Sequence, residues 1–361
     1  MRKHKKVRRG IAVTLLSALV LCTAGYFVGG ANTPRAATEY RKFLANTAET
    51  VTRGVRGTIK SDNDYENYQP LCSIPETENG YIPQGYCFCE ALKLHVISYY
   101  HAENASVLSF TDAESGTHSK TVHLQNADGT PFQGHVGGVA DDAEYLYLCE
   151  DHAVYRVPLA TVSTLSNGAQ LTLGEQMMID VKCSYINCDG EFLYAGEFYT
   201  YYSDGRYGTD ATHHMQISMT ELHFSRCNAY RLSDLANAFS ATPVAPAIPA
   251  MAFTTPNLVQ GFARLSDGTF ALSTSYGRNT DAHLLRFSDV TKSEPVYTVS
   301  YLHQDIPVYS LSKDAQTDSL RLPPMAEGID SDGTRILGIF ESGAQKYSDG
   351  KFPVNSVCVL G

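Results

Sequence analysis

Residues 259–277 read VQGFARLSDGTFALSTSYG, two short runs rich in apolar and small residues on either side of Asp267-Gly268. An Asp-Gly pair between such runs predicts a β-hairpin, because both residues accept the backbone angles of a tight two-strand turn. The same order of run, polar turn and run recurs along the chain. Residues 85–89, 94–100, 106–110 and 118–124 predict four consecutive strands. Residues 135–140 turn at Asp141-Asp142 into 145–148 and 153–157. Residues 185–188 turn at Asp189-Gly190 into 192–195, and a long loop precedes a further run at 221–232. The opening hairpin continues through 282–287 and 296–301. A last unit turns at Asp332-Gly333 and continues through 335–340 and 356–360.

The units start at Gln84, His135, Tyr185, Gln260 and Glu327, spaced by 51, 50, 75 and 67 residues, with an Ala/Pro-rich loop at 240–251 lengthening one interval. A four-stranded antiparallel unit repeated at roughly 40–50 residues is the pattern of a β-propeller blade. The expected fold is therefore all-β, a β-propeller of five blades or six, over residues 81–361. The last unit shows only three strands, so a segment before Pro83 is expected to complete it, since an open ring would leave a bare strand edge. A pair of immunoglobulin-like sandwiches is the competing architecture, and the repeated Asp-Gly hairpin argues against it. In arrangement, though in no specific motif, the chain resembles the broad group of five- and six-bladed propellers that includes gluconolactonase-like and NHL-repeat proteins. That resemblance implies the architecture and transfers no activity.

Residues 1–31 stand apart. Six Lys/Arg in the first ten residues precede an almost wholly apolar run over 11–28. A basic start before such a run predicts export, through an uncleaved membrane anchor or a removed signal peptide. Residues 32–80 are expected to form a helical stalk, with Tyr40, Phe43, Leu44, Thr47 and Val51 at helical spacing, and a polar linker. The protein is thus expected outside the cell, secreted or held to the membrane by its N-terminal segment.

Composition sharpens this picture in two places. Without the six basic residues of the leader, the net charge of −10 becomes −16. Such an acidic domain lacks the clustered cations that phosphate backbones require, so nucleic acid is excluded as a partner. Nine cysteines include Cys22 in the leader. Most of the other eight fall in strand-like runs, where a thiol behaves as a small buried hydrophobe; Cys183–Cys188 and a bond from Cys72 are the candidate bridges.

A propeller gathers the starts of its inner strands and the tips of its second strands on one face, while the connecting turns lie on the other. The starts are Gln84, His135, Asn187 beside Tyr185, Gln260 and Glu327, and several adjoin glycines that let backbones crowd near an axis. The tips supply Tyr99, Glu150, Glu197, Tyr276, Arg278 and Glu341. These eleven residues are the candidate ligand-binding set, for a glycan, a peptide or a partner protein. No nucleophile elbow, H-E-x-x-H or C-x-x-C pattern is present. No metal set or cofactor is indicated. The enzymatic alternative is an extracellular hydrolase or lactonase that uses Glu327 and His135 as an acid–base pair, with or without a metal ion.

Overall fold

The computed structural model describes residues 65–202 and 207–361. The expected membrane segment and stalk helix lie outside these residues, as does part of the loop after Thr200. Among the described residues, no helix is long and apolar enough to cross a membrane.

The chain begins with β1 (Tyr68–Ser73), then enters a first four-stranded unit: β2 (Ile82–Cys89), β3 (Leu94–Tyr100), β4 (Val107–Asp112) and β5 (His118–Asn126). The second unit holds β6 (Gly138–Asp141), β7 (Tyr145–Pro158), the short helix α1 (Leu159–Thr164), β8 (Gln170–Leu173) and the first half of β9 (Glu175–Cys188). The third runs from the second half of β9 into β10 (Phe192–Glu197). It continues through a small ribbon of β11 (Met215–Gln216) and β12 (Leu222–His223), then β13 (Ser225–Arg231) and β14 (Met251–Thr255). The fourth comprises β15 (Val259–Arg264), β16 (Phe270–Thr274) and β17 (Ala282–Phe287), then a hairpin of β18 (Tyr297–Tyr301) and β19 (Gln304–Ser310), and β20 (Gln316–Leu322). The last holds β21 (Ala326–Ser331), β22 (Ile336–Phe340) and β23 (Ser356–Leu360).

β1 supplies the missing fourth strand of the last unit. It pairs antiparallel with β23, from Tyr68 opposite Leu360 to Ser73 opposite Ser356. The strand comes from the stretch expected to be linker, and it joins the two ends of the described chain in one sheet. The inner strands β2, β6, β9, β15 and β21 touch in cyclic order, with β21 returning to β2.

The hydrophobic core follows the same circle. Val96 and Phe110 of the first unit pack with Val139 and Leu148 of the second, and Tyr147 and Cys149 with Leu193 and Ala195 of the third. Tyr194 and Phe253 pack with Phe262 and Phe270, Ala271 and Leu284 with Ile329 and Phe340. Leu337 and Ile339 close the circle on Tyr86 and Ile97. Because inner and second strands are covered on both faces, β10 and β16 are buried at every position. The outermost strands β18 and β20 are instead mostly exposed or half-buried.

Strand β7 folds back on itself. Leu159 N–H donates to the Glu144 carbonyl at 2.8 Å, and the Arg156 guanidinium lies 4.7 Å from the Tyr145 ring centroid. Fourteen residues of straight strand would hold those ends tens of ångströms apart, at about 3.3 Å per residue. The reversal falls at Asp151, whose φ of 52° is left-handed.

Two insertions guard outer edges. β8 lies parallel on β5, and β19 lies parallel on β14. Each is borrowed from the following unit and covers an edge that would otherwise offer unpaired backbone groups.

The Asp turns repeat one piece of chemistry at the end we call far. Asp142 Oδ1 accepts from the N–H groups of Glu144 and Tyr145 at 2.9 and 2.7 Å, and Asp189 Oδ1 from Glu191 and Phe192 at 2.9 and 2.7 Å. Asp332 accepts likewise from Thr334 and Arg335, and Asp267 from Thr269. The short carboxylate satisfies the turn's own donors, which is why Asp recurs there.

All eight cysteines among the described residues are free thiols. Cys183 and Cys188 sit opposite Glu197 and Leu193 on the same partner strand. They therefore lie at opposite ends of the inner half of β9 and do not bridge.

Candidate functional site

At the near end of the axis, β2, β15 and β21 bring polar side chains together. Gln84 and Glu327 are buried, while Gln260 is half-buried. The Gln260 Nε2 amide donates to Glu327 Oε1 at 3.0 Å. Gln84 Nε2 donates to its neighbour's carbonyl, Pro83 O, at 2.8 Å and to Glu341 Oε1 at 3.0 Å. Glu341 follows β22 directly, and its Oε1 also accepts from the Tyr347 hydroxyl at 3.2 Å. Two carboxyl groups are thus each gripped by one oxygen.

Glycine permits this crowding. A Cβ on Gly328 would lie 2.5 Å from the Tyr86 nitrogen and 2.9 Å from the Gly85 carbonyl carbon. β21 and β2 therefore meet backbone to backbone beside Glu327. Ser273 Oγ donates to the Glu327 carbonyl at 2.6 Å and pins β21 to the fourth unit. Ser98 Oγ makes the equivalent link in the first unit, accepting from Gly85 N–H at 2.9 Å and donating to the Val136 carbonyl at 2.8 Å.

Burial and mutual repulsion set the two carboxyls apart. Burial, then the nearby Glu341 charge, raises the Glu327 pKa well above the ordinary glutamate value, although the Gln260 bond opposes this. Glu341 is pushed up to about 6 by burial, while its bonds from Gln84 and Tyr347 and the charges of Lys346 and Arg278 pull the other way. Glu327 is therefore the harder of the two to ionise, and Glu341 the one that takes the charge first.

Around them stand Tyr100, His135, Lys346, Tyr347 and Arg278. His135 stacks on Tyr100 with centroids 4.4 Å apart and planes at 23°. It is exposed, yet protein walls surround it: desolvation first, and the Lys346 charge second, lower its pKa to about 4. This imidazole is neutral at pH 7. Lys346 Nζ bonds the Tyr100 hydroxyl at 3.1 Å and sits 5.5 and 5.1 Å from the Tyr100 and Tyr347 ring centroids. Arg278 pairs with Asp349 at 2.5 Å and lies 5.0 Å from the Tyr347 ring centroid.

Of the eleven expected residues, Gln84, Gln260, Glu327 and Glu341 form this cluster, with Arg278 and His135 on its margin. His135 makes no hydrogen bond to Glu327, so the expected acid–base pair of these two is not assembled. Glu150 stands nearby, its Oε2 accepting from Val136 N–H at 2.6 Å, and burial raises its pKa. Tyr276 packs near Phe198, with ring centroids 6.3 Å apart.

Three others lie elsewhere. Tyr99 is fully buried, with its hydroxyl 2.8 Å from Ser109 Oγ, and its neighbour Tyr100 is the one that stacks on His135 beside the cluster. Adjacent strand residues point to opposite faces, and the sequence pair Tyr99-Tyr100 does not say which is which. Glu197 is buried in a clamp, 3.0 Å from His213 Nδ1 and accepting from Arg226 N–H at 3.1 Å. Asn187 is opposite Tyr194, next to the Asp189-Gly190 turn, and so lies at the far end of its inner strand. The inner strand of the third unit begins at Cys183, two residues before the expected start at Tyr185.

At that far end Asn187 joins a different cluster. Its Nδ2 donates to Asp330 Oδ1 at 2.9 Å, and its Oδ1 accepts from Arg264 N–H at 3.3 Å. Asp330 also accepts from the N–H groups of Phe88 at 2.9 Å and Ser331 at 2.8 Å. Lys346, Tyr347 and Tyr100 were absent from the expected set. The first two lie in the connection between β22 and β23, which carries no strand periodicity to announce them. Among the described residues, no group of three or more His, Cys, Asp and Glu could hold a metal ion.

No family model matches the chain, and no curated protein does. Solved structures are similar in fold. Glutaminyl cyclase of Myxococcus xanthus is 12% identical, over 81% of this chain and 97% of that one, with a TM-score of 0.40. The WD40 repeats of RRP9 are 8% identical over 81% and 97%, with a TM-score of 0.38. The PQQ-bound aldose sugar dehydrogenase of Streptomyces coelicolor is 14% identical over 81% and 96%, with a TM-score of 0.42. The likeness is one of architecture; the cyclic order of the inner strands and the closing β1–β23 pair are what make this chain a β-propeller.

Proposed function

We propose that this protein is an exported five-bladed propeller, held at the cell surface or secreted, that binds an extracellular ligand in the funnel at the near end of its axis. The basic and apolar leader supports export, and the cyclic order of inner strands supports the count of five. One observation carries the binding reading. Glu327 and Glu341 are held through Oε1 by neighbouring side chains, while among the described residues their Oε2 atoms make no hydrogen bond and are not sealed off. Positioned polar atoms at the end of a propeller's axis, backed by rigid strands, are what a binding site requires.

The test is a thermal-shift screen of the full chain against neutral sugars, amines, carboxylates and peptides, since a ligand that binds the folded state raises its melting temperature. The reading expects a shift with at least one class that disappears in Glu341→Gln. Shifts that persist in that variant, or none at all, would overturn it.

Hydrolysis is a second reading, favoured by the unequal ease with which Glu327 and Glu341 ionise, which fits one general acid and one general base. Its acid–base partner to Glu327 is Glu341 rather than His135. Turnover of a bound glycoside or lactone, abolished by either Glu→Gln substitution, would support it; binding without turnover would leave the first reading in place.

A further inference from the structure

The charges around the funnel restrict what can enter. Lys346 is exposed and makes no ion pair among the described residues, and Arg278 lies beside it across the Tyr347 ring. Lys346 lies at the hydroxyl end of Tyr100 and against the Tyr347 ring, and it and Arg278 repel a cationic ligand. An anion meets the ionised Glu341, Asp349 beside Arg278, and a chain of net charge −10. A neutral ligand meets neither obstacle.

The base of the funnel has the polar groups that such a ligand needs. Glu327 and Glu341 each present an Oε2 left open by the side chains that hold Oε1, and Glu327 keeps its proton more tightly than Glu341. A hydroxyl group is the neutral function that both accepts and donates, so hydroxyls suit either carboxyl. One wall is aromatic, formed by the stacked Tyr100 and His135, and His135 presents a solvent-reached face without carrying charge. Such a surface suits the C–H face of a hydroxylated ring.

We propose that the funnel takes a neutral polyhydroxylated ligand, a sugar or a polyol, with its hydroxyls held between Glu327 and Glu341 and one face against Tyr100 and His135. This rests on the ligand-binding reading above.

The test is calorimetric titration of the full chain with a panel of neutral sugars and polyols (glucose, galactose, N-acetylglucosamine and myo-inositol among them), with choline and gluconate as the charged probes. Saturable binding of a neutral member is expected, with weak or no binding of choline and gluconate. Glu341→Gln removes the charged acceptor and is expected to weaken binding about tenfold or more. Tyr100→Ala weakens it through the lost wall. Glu327→Gln, which keeps a donor in place, weakens it less than Glu341→Gln. Lowering the pH from 7.5 to 5 weakens binding in the parent as Glu341 takes up a proton, and has little effect in Glu341→Gln. Melting temperatures of all three variants confirm that they fold. Binding of choline or gluconate in place of the neutral panel, lost in Glu341→Gln and Tyr100→Ala, would overturn the neutral class and leave the funnel as a binding site. Binding that survives all three variants, or no binding by any probe, would overturn both.

Discussion

The two ends of the propeller axis carry similar residues and have opposite character. At the far end Asp330 accepts from two backbone N–H groups and from Asn187, which in turn accepts from Arg264. This chain of bonds runs from the first unit through the last and the third to the fourth. Both of its side chains are engaged on both polar ends, so it acts as a staple. At the near end Glu327 and Glu341 are held by side chains through one oxygen each, and the second oxygen is open. An acid at the axis is therefore not a site by its type or its depth. What separates the two ends is whether its hydrogen-bonding capacity is used up.

The comparison can be broken from either side. The largest effect is expected at Gly328, where an added Cβ meets the Tyr86 nitrogen at 2.5 Å. Backbone cannot give way as a flexible side chain can. Gly328→Ala is therefore expected to cost about 3 kcal/mol or more, and to displace Glu327, so that both melting temperature and ligand binding fall. A variant that melts like the parent would show that the near end is looser than described.

Asp330→Ala comes next. It strands the Phe88 N–H and the Asn187 amide, at about 3 kcal/mol in total, or a loss of roughly 5–10 °C in melting temperature. Near-end binding by the surviving folded protein should be unchanged. Coupled loss of binding would mean that the two ends are not separable.

A smaller effect concerns pH. Burial pushes Asp330 up to about 7, against the bonds from Phe88 and Ser331 that favour the charged form. The folded state therefore holds a proton there that the unfolded chain has released. That contribution to stability is present below about pH 4 and is lost as pH rises toward 7. Asp330→Asn has no proton to lose. Its melting temperature relative to the parent should thus improve between pH 5 and pH 7.5, by about 2–4 °C. An unchanged difference would place the Asp330 pKa in the ordinary range.

The smallest effect belongs to the far-face turns. Asp267 Oδ1 accepts from the Thr269 N–H and hydroxyl at 2.9 and 2.6 Å. Asp267→Ala should cost about 1 kcal/mol, measured by chemical denaturation, without touching ligand affinity. A change in affinity would connect the far face to the funnel.

Much of the fold could be read locally. Asp189-Gly190, Asp267-Gly268 and Asp332-Gly333 announce their turns because the Asp side chain and the glycine backbone solve the turn within a few residues. The expectation that a strand before Pro83 completes the ring also rests on sequence, yet residues 68–73 carry no alternation to mark them. Tyr68 is a strand only because Leu360 lies opposite it. Asn187 departs from expectation for a related reason: a strand start at Tyr185 implies the near end, whereas its place two residues before the Asp189 turn puts it at the far end.

The candidate site was legible in part. Gln84, Gln260 and Glu327 could be named because each opens an inner strand beside a glycine, and Glu341 because it ends a second strand. Tyr100 shared its position with Tyr99, and a period of two gives no absolute phase. Lys346 and Tyr347 sit in an irregular connection whose path is set by packing against Ile82, Met325 and Ala344.

The sequence by itself determined the turns, the four-stranded repeat and the class of fold, since each depends on residues within a few positions of one another. Only the tertiary structure decided which polar residues meet, and which of them keep an oxygen free. The pairs Gln260–Glu327 and Gln84–Glu341 are 67 and 257 residues apart. Contacts across such separations exist only after the ring closes, when the crowding of glycine-lined inner strands sets every distance at the axis.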